Sequence, residues 1–152
     1  MQIWVVSNKT GVGEWFDVGN DPDELHTEIE EFFETDDYTI DDSSPELENI
    51  RDYTLGDLCE IASLVDMTNE DAFIAWLNYN GDIEYVKSHF DEAYYGSYND
   101  EEDFAREYVE GLYTIPDFIE IHIDWESVAN DLAHDMDFVD APGGGIYVFR
   151  CL

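Results

Sequence analysis

Apolar and polar positions alternate with period two over Gln2–Ser7, the pattern of a strand with one covered face. A turn through residues 9–13 and a return over 14–18 predict a hairpin. The period then lengthens to that of a helix. Asp21 supplies an N-cap, Pro22 the first helical position and Glu24 the third, while Leu25, Ile29, Phe32 and Phe33 fall on one face and Glu24, Glu28 and Glu31 on the other. Residues 37–42 alternate again around Tyr38 and Ile40 and predict a third strand closing a small sheet. Residues 42–52, polar and containing Ser43, Ser44 and Pro45, read as a linker.

Helical spacing dominates the middle of the chain. Thr54 caps a predicted helix carrying Leu55, Leu58, Ile61, Ala62 and Val65. Thr68 caps another with Ala72, Phe73, Trp76 and Leu77, stopped by Asn80 and Gly81, and Asp82 starts a third with Ile83, Val86 and Phe90 inward. A last module begins near residues 93–98. There Asn99 is the expected cap of a helix through Leu112, with Phe104, Tyr108, Val109 and Leu112 inward and Asp100, Glu101, Asp103, Glu107 and Glu110 outward. Pro116 opens a short turn, Asp124 caps a helix holding Trp125, Val128, Leu132 and Met136, and three glycines at 143–145 lead into a closing strand, Ile146–Arg150. The expected fold is α+β, elongated, in three small modules: an N-terminal antiparallel sheet with a helix (1–52), a central helical module (53–92) and a C-terminal α+β module (93–152).

Charge changes this picture more than composition does. Thirty-nine Asp and Glu stand against five Lys and Arg, a formal net charge of −34 over 152 residues, although 44% of the chain is hydrophobic. Duplex DNA carries one phosphate per ~1.7 Å of axis, so the same charge corresponds to roughly 58 Å of double helix. A compact chain of this length has a radius of gyration near ~15 Å, and that much like charge repels itself unless cations screen it. Disorder does not explain the composition, because disordered acidic chains lack aromatics and this one has nine Phe, ten Tyr and four Trp. An acidic tail does not explain it either, since the acids run from Asp17 to Asp140 among apolar residues. Halophilic solvation predicts a requirement for molar salt, which separates it from a charge with a binding role.

Catalytic and metal motifs are weak. A carboxylate pair with separated pKa values could do acid–base work, but with 39 acids some pair is always close. His26, His89, His122 and His134 stand singly, Cys59 has no nucleophile signature, and Cys59 and Cys151 are read as thiols rather than a disulfide. Residues 66–71 lack the glycine of a calcium loop, and Gly81 comes too early in its own acidic stretch. Condensed cations are expected; a cofactor or dedicated metal site is not. Residues 143–145 have no nearby lysine and read as a turn, not a phosphate cradle. Nucleic acid is excluded as a ligand, since five basic residues make no stripe for phosphates. The partner such a surface attracts is a protein whose own Lys and Arg bind nucleic acid. No apolar run reaches membrane-spanning length, the N-terminus lacks the features of a signal peptide, and the expected compartment is the cytoplasm.

Several segments in order resemble the ArdA antirestriction family: Ile3-Trp4-Val5-Val6; Gly13-Glu14-Trp15-Phe16 before Asp21-Pro22-Asp23-Glu24-Leu25; Asp91-Glu92-Ala93-Tyr94-Tyr95-Gly96-Ser97-Tyr98; Asp103-Phe104-Ala105-Arg106-Glu107-Tyr108-Val109; residues 123–132; and Gly145-Ile146-Tyr147-Val148-Phe149-Arg150. The resemblance implies a phage or mobile-element protein that evades host defence in the host cytoplasm. It implies a homodimer that mimics DNA and occupies the DNA-binding groove of type I restriction-modification enzymes, against their specificity and methyltransferase subunits, without catalysis. The family's antirestriction motif matches best at Glu70, Asp71, Phe73, Trp76 and Leu77. The exposed faces holding Glu24, Glu28 and Glu31, and Asp100, Glu101, Asp103, Glu107 and Glu110, are the expected phosphate-like positions. The alternatives are a mimic aimed at a CRISPR effector or nucleoid protein, and an enzyme using paired carboxylates.

Overall fold

The computed structural model describes residues 1–65 and 69–152. The Thr68 cap, and Asp66 to Thr68 of the stretch weighed for calcium, lie outside the described residues. Among the described residues the chain forms seven α-helices and two three-stranded antiparallel sheets, as the α+β pattern predicts. Its contacts divide it into two compact units, Met1–Ile74 and Ala75–Leu152.

In the first unit β1 (Gln2–Ser7) is the central strand, flanked by β2 (Gly13–Asp17) and β3 (Tyr38–Ser44). Period two puts Ile3, Val5 and Ser7 inside, and Ile3 pairs with Phe16 of β2, itself buried. Helix α1 (Pro22–Phe33) turns Leu25 and Ile29 inward. Its cap is the predicted one: the Asp21 carboxylate accepts from the backbone N–H groups of Asp23 at 2.9 Å and Glu24 at 3.3 Å. The His26 Nδ1 lies 2.7 Å from the Tyr38 hydroxyl, which ties α1 to β3. Phe32, expected inside, is 54% exposed. It lies beyond the Leu25–Ile29 stripe, and its ring meets Phe16 edge-on instead of entering the core.

The stretch read as a linker is built into this unit. Strand β3 continues to Ser44, Leu47 and Ile50 are buried, and residues Ile50–Asp52 form a 3-10 turn. The Ser43 hydroxyl accepts from the Leu47 N–H at 2.9 Å and donates to the Pro45 carbonyl at 2.9 Å, so the polar residues that suggested a linker hold a tight turn. Helix α2 (Leu55–Val65) starts at a reciprocal cap: Thr54 Oγ1 accepts from the Asp57 N–H, and Asp57 Oδ2 accepts from the Thr54 N–H and hydroxyl.

Helix α3 (Glu70–Asn80) buries six consecutive residues, Ala72 to Leu77. A helix apolar all round is a core helix. In the second unit Trp76 stacks flat on Phe149, ring centroids 4.7 Å apart and planes 5° from parallel, with Phe90 of α4 (Ile83–Ala93) at 6.2 Å. The second sheet runs β4 (Tyr94–Tyr98), β6 (Ile146–Arg150), β5 (Met136–Asp140), with β6 central. Strand β6 reads as an unbroken apolar run because both its faces are covered. Val148 and Ile146 join Phe104 of α5 (Glu101–Leu112), and Phe149 meets Trp76.

Three expectations for this unit change. Met136, placed at the end of a helix by its spacing from Leu132, starts β5, because α7 (Trp125–Leu132) stops at Leu132. The cap of α5 is Asp100, not Asn99: its carboxylate accepts from the Asp103 N–H at 2.8 Å, while the Asn99 N–H and side-chain amide donate to the Asp103 carboxylate at 3.3 and 3.0 Å. Leu112, expected inside, is exposed, and Ala105 fills the core position. Pro116 begins a one-turn helix, α6 (Asp117–Glu120). The connector around it is pinned at both ends by Ile115 and Ile123, which pack with Val109 and Val128 against Ala105, Trp125 and Ala129.

Gly145 is required by the β5–β6 turn. Its φ is +85°, and a Cβ there would stand 2.6 Å from the Tyr98 carbonyl oxygen. Gly145→Ala is expected to cost about 1–3 kcal/mol, read as a lowered urea midpoint with an unchanged slope.

Candidate acidic interaction surface

Among the described residues no Asp or Glu is buried, so the charge is a property of the surface. The fold spaces part of it regularly. On α1, Glu24, Glu28 and Glu31 are exposed at i, i+4 and i+7, opposite Leu25 and Ile29. At 1.5 Å per residue they span ~10.5 Å of helix axis, over which one strand of DNA places about three phosphates. On α5, Asp100, Asp103, Glu107 and Glu110 repeat the arrangement over ten residues, ~15 Å, with Glu101 beside the first turn. One DNA strand places about four phosphates over that length. Each row lies within one unit.

The carboxylates differ in what they already do. Asp100 and Asp103 hold the start of α5 through the bonds described above. Glu24, Glu28, Glu31, Glu101, Glu107 and Glu110 face solvent with no cationic partner within 4.0 Å among the described residues. Two of the cations are engaged elsewhere: Arg51 meets Asp41 at 2.8 Å, and the Arg106 guanidinium sits 5.5 Å above the Trp125 ring.

The segment matched to the antirestriction motif is placed differently. Asp71 is exposed and Glu70 half-buried with the Met1 amino group 3.5 Å away, whereas Phe73, Trp76 and Leu77 are buried. Their neighbours in the fold are core residues rather than solvent.

Titration behaviour follows the carboxylates. Burial, then the charge on Glu107, pushes the Tyr98 phenol up. The charge on Asp137, followed by burial and a hydrogen bond to the same carboxylate, raises Tyr79. Asp124 goes the other way: the Ser127 backbone N–H and then its hydroxyl donate to the carboxylate and lower its pKa. A depressed folded-state pKa contributes stability above the unfolded value and loses it as pH falls through the folded one. The stability gap between the wild type and Asp124→Ala is therefore expected to be widest near neutrality and to close below the ordinary carboxylate range, in urea titrations across pH.

Two open acidic clefts accompany the rows. One, about 620 Å³, is lined by Asp41, Asp42, Glu46, Glu48 and Asp52 around Arg51; the other, about 540 Å³, lies between Asp100, Glu101, Glu102, Glu126 and Asp140. The first lies in the polar stretch whose composition reads as a linker in the sequence. Among the described residues no group of three or more His, Cys, Asp or Glu is arranged to hold a metal ion, and no helix is long and apolar enough to cross a membrane.

A family model for antirestriction protein (ArdA) matches residues 8–147. The chain belongs to the ArdA antirestriction family. A search of curated proteins gives no match. ArdA membership carries an antirestriction role, the inhibition of restriction enzymes by a protein that is an inhibitor and not a catalyst. The rows on α1 and α5 present oxygen acceptors in series along each helix.

Proposed function

We propose that this ArdA protein is a DNA mimic that occupies the DNA-binding groove of type I restriction-modification enzymes. In this reading it acts as a homodimer in the host cytoplasm, binds stoichiometrically against the specificity and methyltransferase subunits, and catalyses nothing. The observation that carries the reading is the pair of exposed carboxylate rows, free of cationic partners, whose charge per length matches one strand of a duplex. Glu24, Glu28, Glu31, Glu101, Glu107 and Glu110 serve as phosphate-like groups. Asp100 and Asp103 add charge while holding their helix. Asp71 contributes from the motif segment, with Phe73, Trp76 and Leu77 supporting it from the core.

The test is competition. The protein is titrated into a type I methyltransferase core bound to labelled cognate duplex, at low and at moderate salt. Displacement near one equivalent, weaker as salt rises, is the expected result, because charge-steered contacts are screened within about 8–10 Å at such ionic strength. Failure of the folded protein to displace the duplex at either salt overturns the choice of target.

A further inference from the structure

The outer face of the first sheet carries an aromatic step among carboxylates. Ile3, Val5 and Phe16 close the inner face. Period two turns Trp4 of β1 and Trp15 of β2 the other way, directly opposite each other across the strand pair. The Trp4 ring lies against Gly13, where a Cβ would stand 2.3 Å from its Cζ2. Glycine there gives the indole its seat, and the Trp15 ring meets it at 5.4 Å between centroids, tilted by 56°. Trp4 is half-buried and Trp15 is 39% exposed. The pair is held on one side by the fold and open to solvent on the other.

Acids border this step in register. Asp42 of β3 stands opposite Trp4 on the side away from Trp15, so Trp15, Trp4 and Asp42 form one row across three strands, ~9.5 Å at ~4.8 Å per strand. Asp42 also lines the larger acidic cleft, into which the row opens. Asp17, on the same face, accepts from the Gln2 side-chain amide at 2.8 Å. Arg51 in the cleft is taken by Asp41, and neither Asp17 nor Asp42 has a Lys or Arg within 4.0 Å among the described residues.

We propose that the Trp4–Trp15 step receives an arginine side chain of the target, its guanidinium against the indoles and its edge toward Asp42. Chemistry selects this occupant. An indole face attracts a cation. The planar guanidinium stacks on a ring while its fork of N–H groups bonds a carboxylate, which the compact, strongly hydrated ammonium of lysine does not do. The chain makes the same contact internally, with Arg106 over Trp125. A nucleic-acid base also has a face to stack, but its phosphates are repelled by this surface. An added strand is disfavoured, because the Trp15 N–H on this edge strand already donates to the Glu14 carboxylate at 3.1 Å. The rows on α1 and α5 answer to charge; this step answers also to shape, and prefers arginine to lysine. The identity of the protein supplying the arginine rests on the mimicry proposed above, whereas the site does not.

Hexa-arginine and hexa-lysine, equal in charge, are titrated into nitrogen-15-labelled protein while the assigned indole N–H signals are followed, with Trp15→Ala as a second sample. Hexa-arginine is expected to move the Trp4 and Trp15 signals and leave that of buried Trp76 in place, and hexa-lysine to move them less. Trp15→Ala, with an unchanged circular dichroism spectrum, is expected to bind hexa-arginine roughly 3–5-fold more weakly and hexa-lysine as before. The wild-type signals need no variant. Trp4 and Trp15 signals that stay still at saturation or respond alike to both peptides overturn the inference, as does Trp15→Ala that binds hexa-arginine as the wild type does. No enzyme enters this titration. A protein whose indoles take arginine but that displaces no duplex retires the target and keeps the site; one that displaces duplex while its indoles ignore arginine retires the site and keeps the target.

Discussion

Trp76→Ala is expected to remove about 3–5 kcal/mol of stability, the cost of deleting a large buried aromatic ring. The indole is 1% exposed and stacks on Phe149 of the central strand β6, with Phe90 and Tyr85 against it. Little can collapse into the space, because its neighbours are themselves rings fixed by a helix and a strand. Against a total of ~5–15 kcal/mol for a domain, such a loss leaves the second unit marginal, and urea unfolding followed by circular dichroism should show it. Trp76→Phe keeps the stack and also removes an indole N–H that is buried without an acceptor among the described residues, so its loss should be much smaller. A Trp76→Ala protein that unfolds at the wild-type midpoint would contradict the core placement of this residue. The control matters for function as well: Trp76 lies in the segment that resembles the antirestriction motif, and inhibition lost through unfolding must be separated from inhibition lost at the surface.

The second large effect concerns binding. Neutralising Glu28, Glu31, Asp103, Glu107 and Glu110 together, with Gln for Glu and Asn for Asp, is expected to weaken competition with duplex by roughly 30–150-fold at low salt. An exposed charge pair contributes about 0.5 kcal/mol, mid-way in its measured range, so five amount to about 2–3 kcal/mol, and every 1.4 kcal/mol is a factor of ten. Any one change alone should be hard to detect. The net charge moves by five, from −34 to −29, which relieves self-repulsion; the variant should therefore melt no lower than the wild type, apart from what Asp103→Asn loses at the start of α5. The difference from wild type should shrink as salt rises. Undiminished inhibition by the five-fold variant would mean that these rows do not face the target.

The elements with a single clear period were legible in the sequence. Alternation placed β1, and the Asp21 cap with Leu25 and Ile29 placed α1 with its acidic face outward. The errors have specific causes. Met136 follows Leu132 at a helical interval, and nothing in the pattern announces that Ala133 to Asp135 turn the chain into β5. Strand β4 has three tyrosines in five residues and a central glycine, so its sequence shows no apolar–polar alternation. Asn99 and Asp100 are both good caps, and the choice is made by which carboxylate reaches the Asp103 N–H. Phe32 and Leu112 lie on the correct faces of their helices but near the ends, and both are more than half exposed.

Of the candidate site, the exposure of the acidic rows followed directly from helical spacing. The exposure of Phe118, Ile119 and Ile121 did not, because they fall in a one-turn helix and at its exit, too short for a period to show. The signal available was chemical: several large apolar residues beside a proline, in a short segment with few acids.

Four helices begin on an aspartate of their own chain, Asp21, Asp82, Asp100 and Asp124, whose carboxylates accept from the first backbone amides. A helix N-terminus is the usual backbone receptor for phosphate, and in these helices that receptor is already filled from within. At these four helix starts the molecule thus presents acceptors and withholds donors. An inhibitor made this way is not titrated by the nucleic acid that surrounds its target, and its effective concentration stays near its total concentration however much DNA is present.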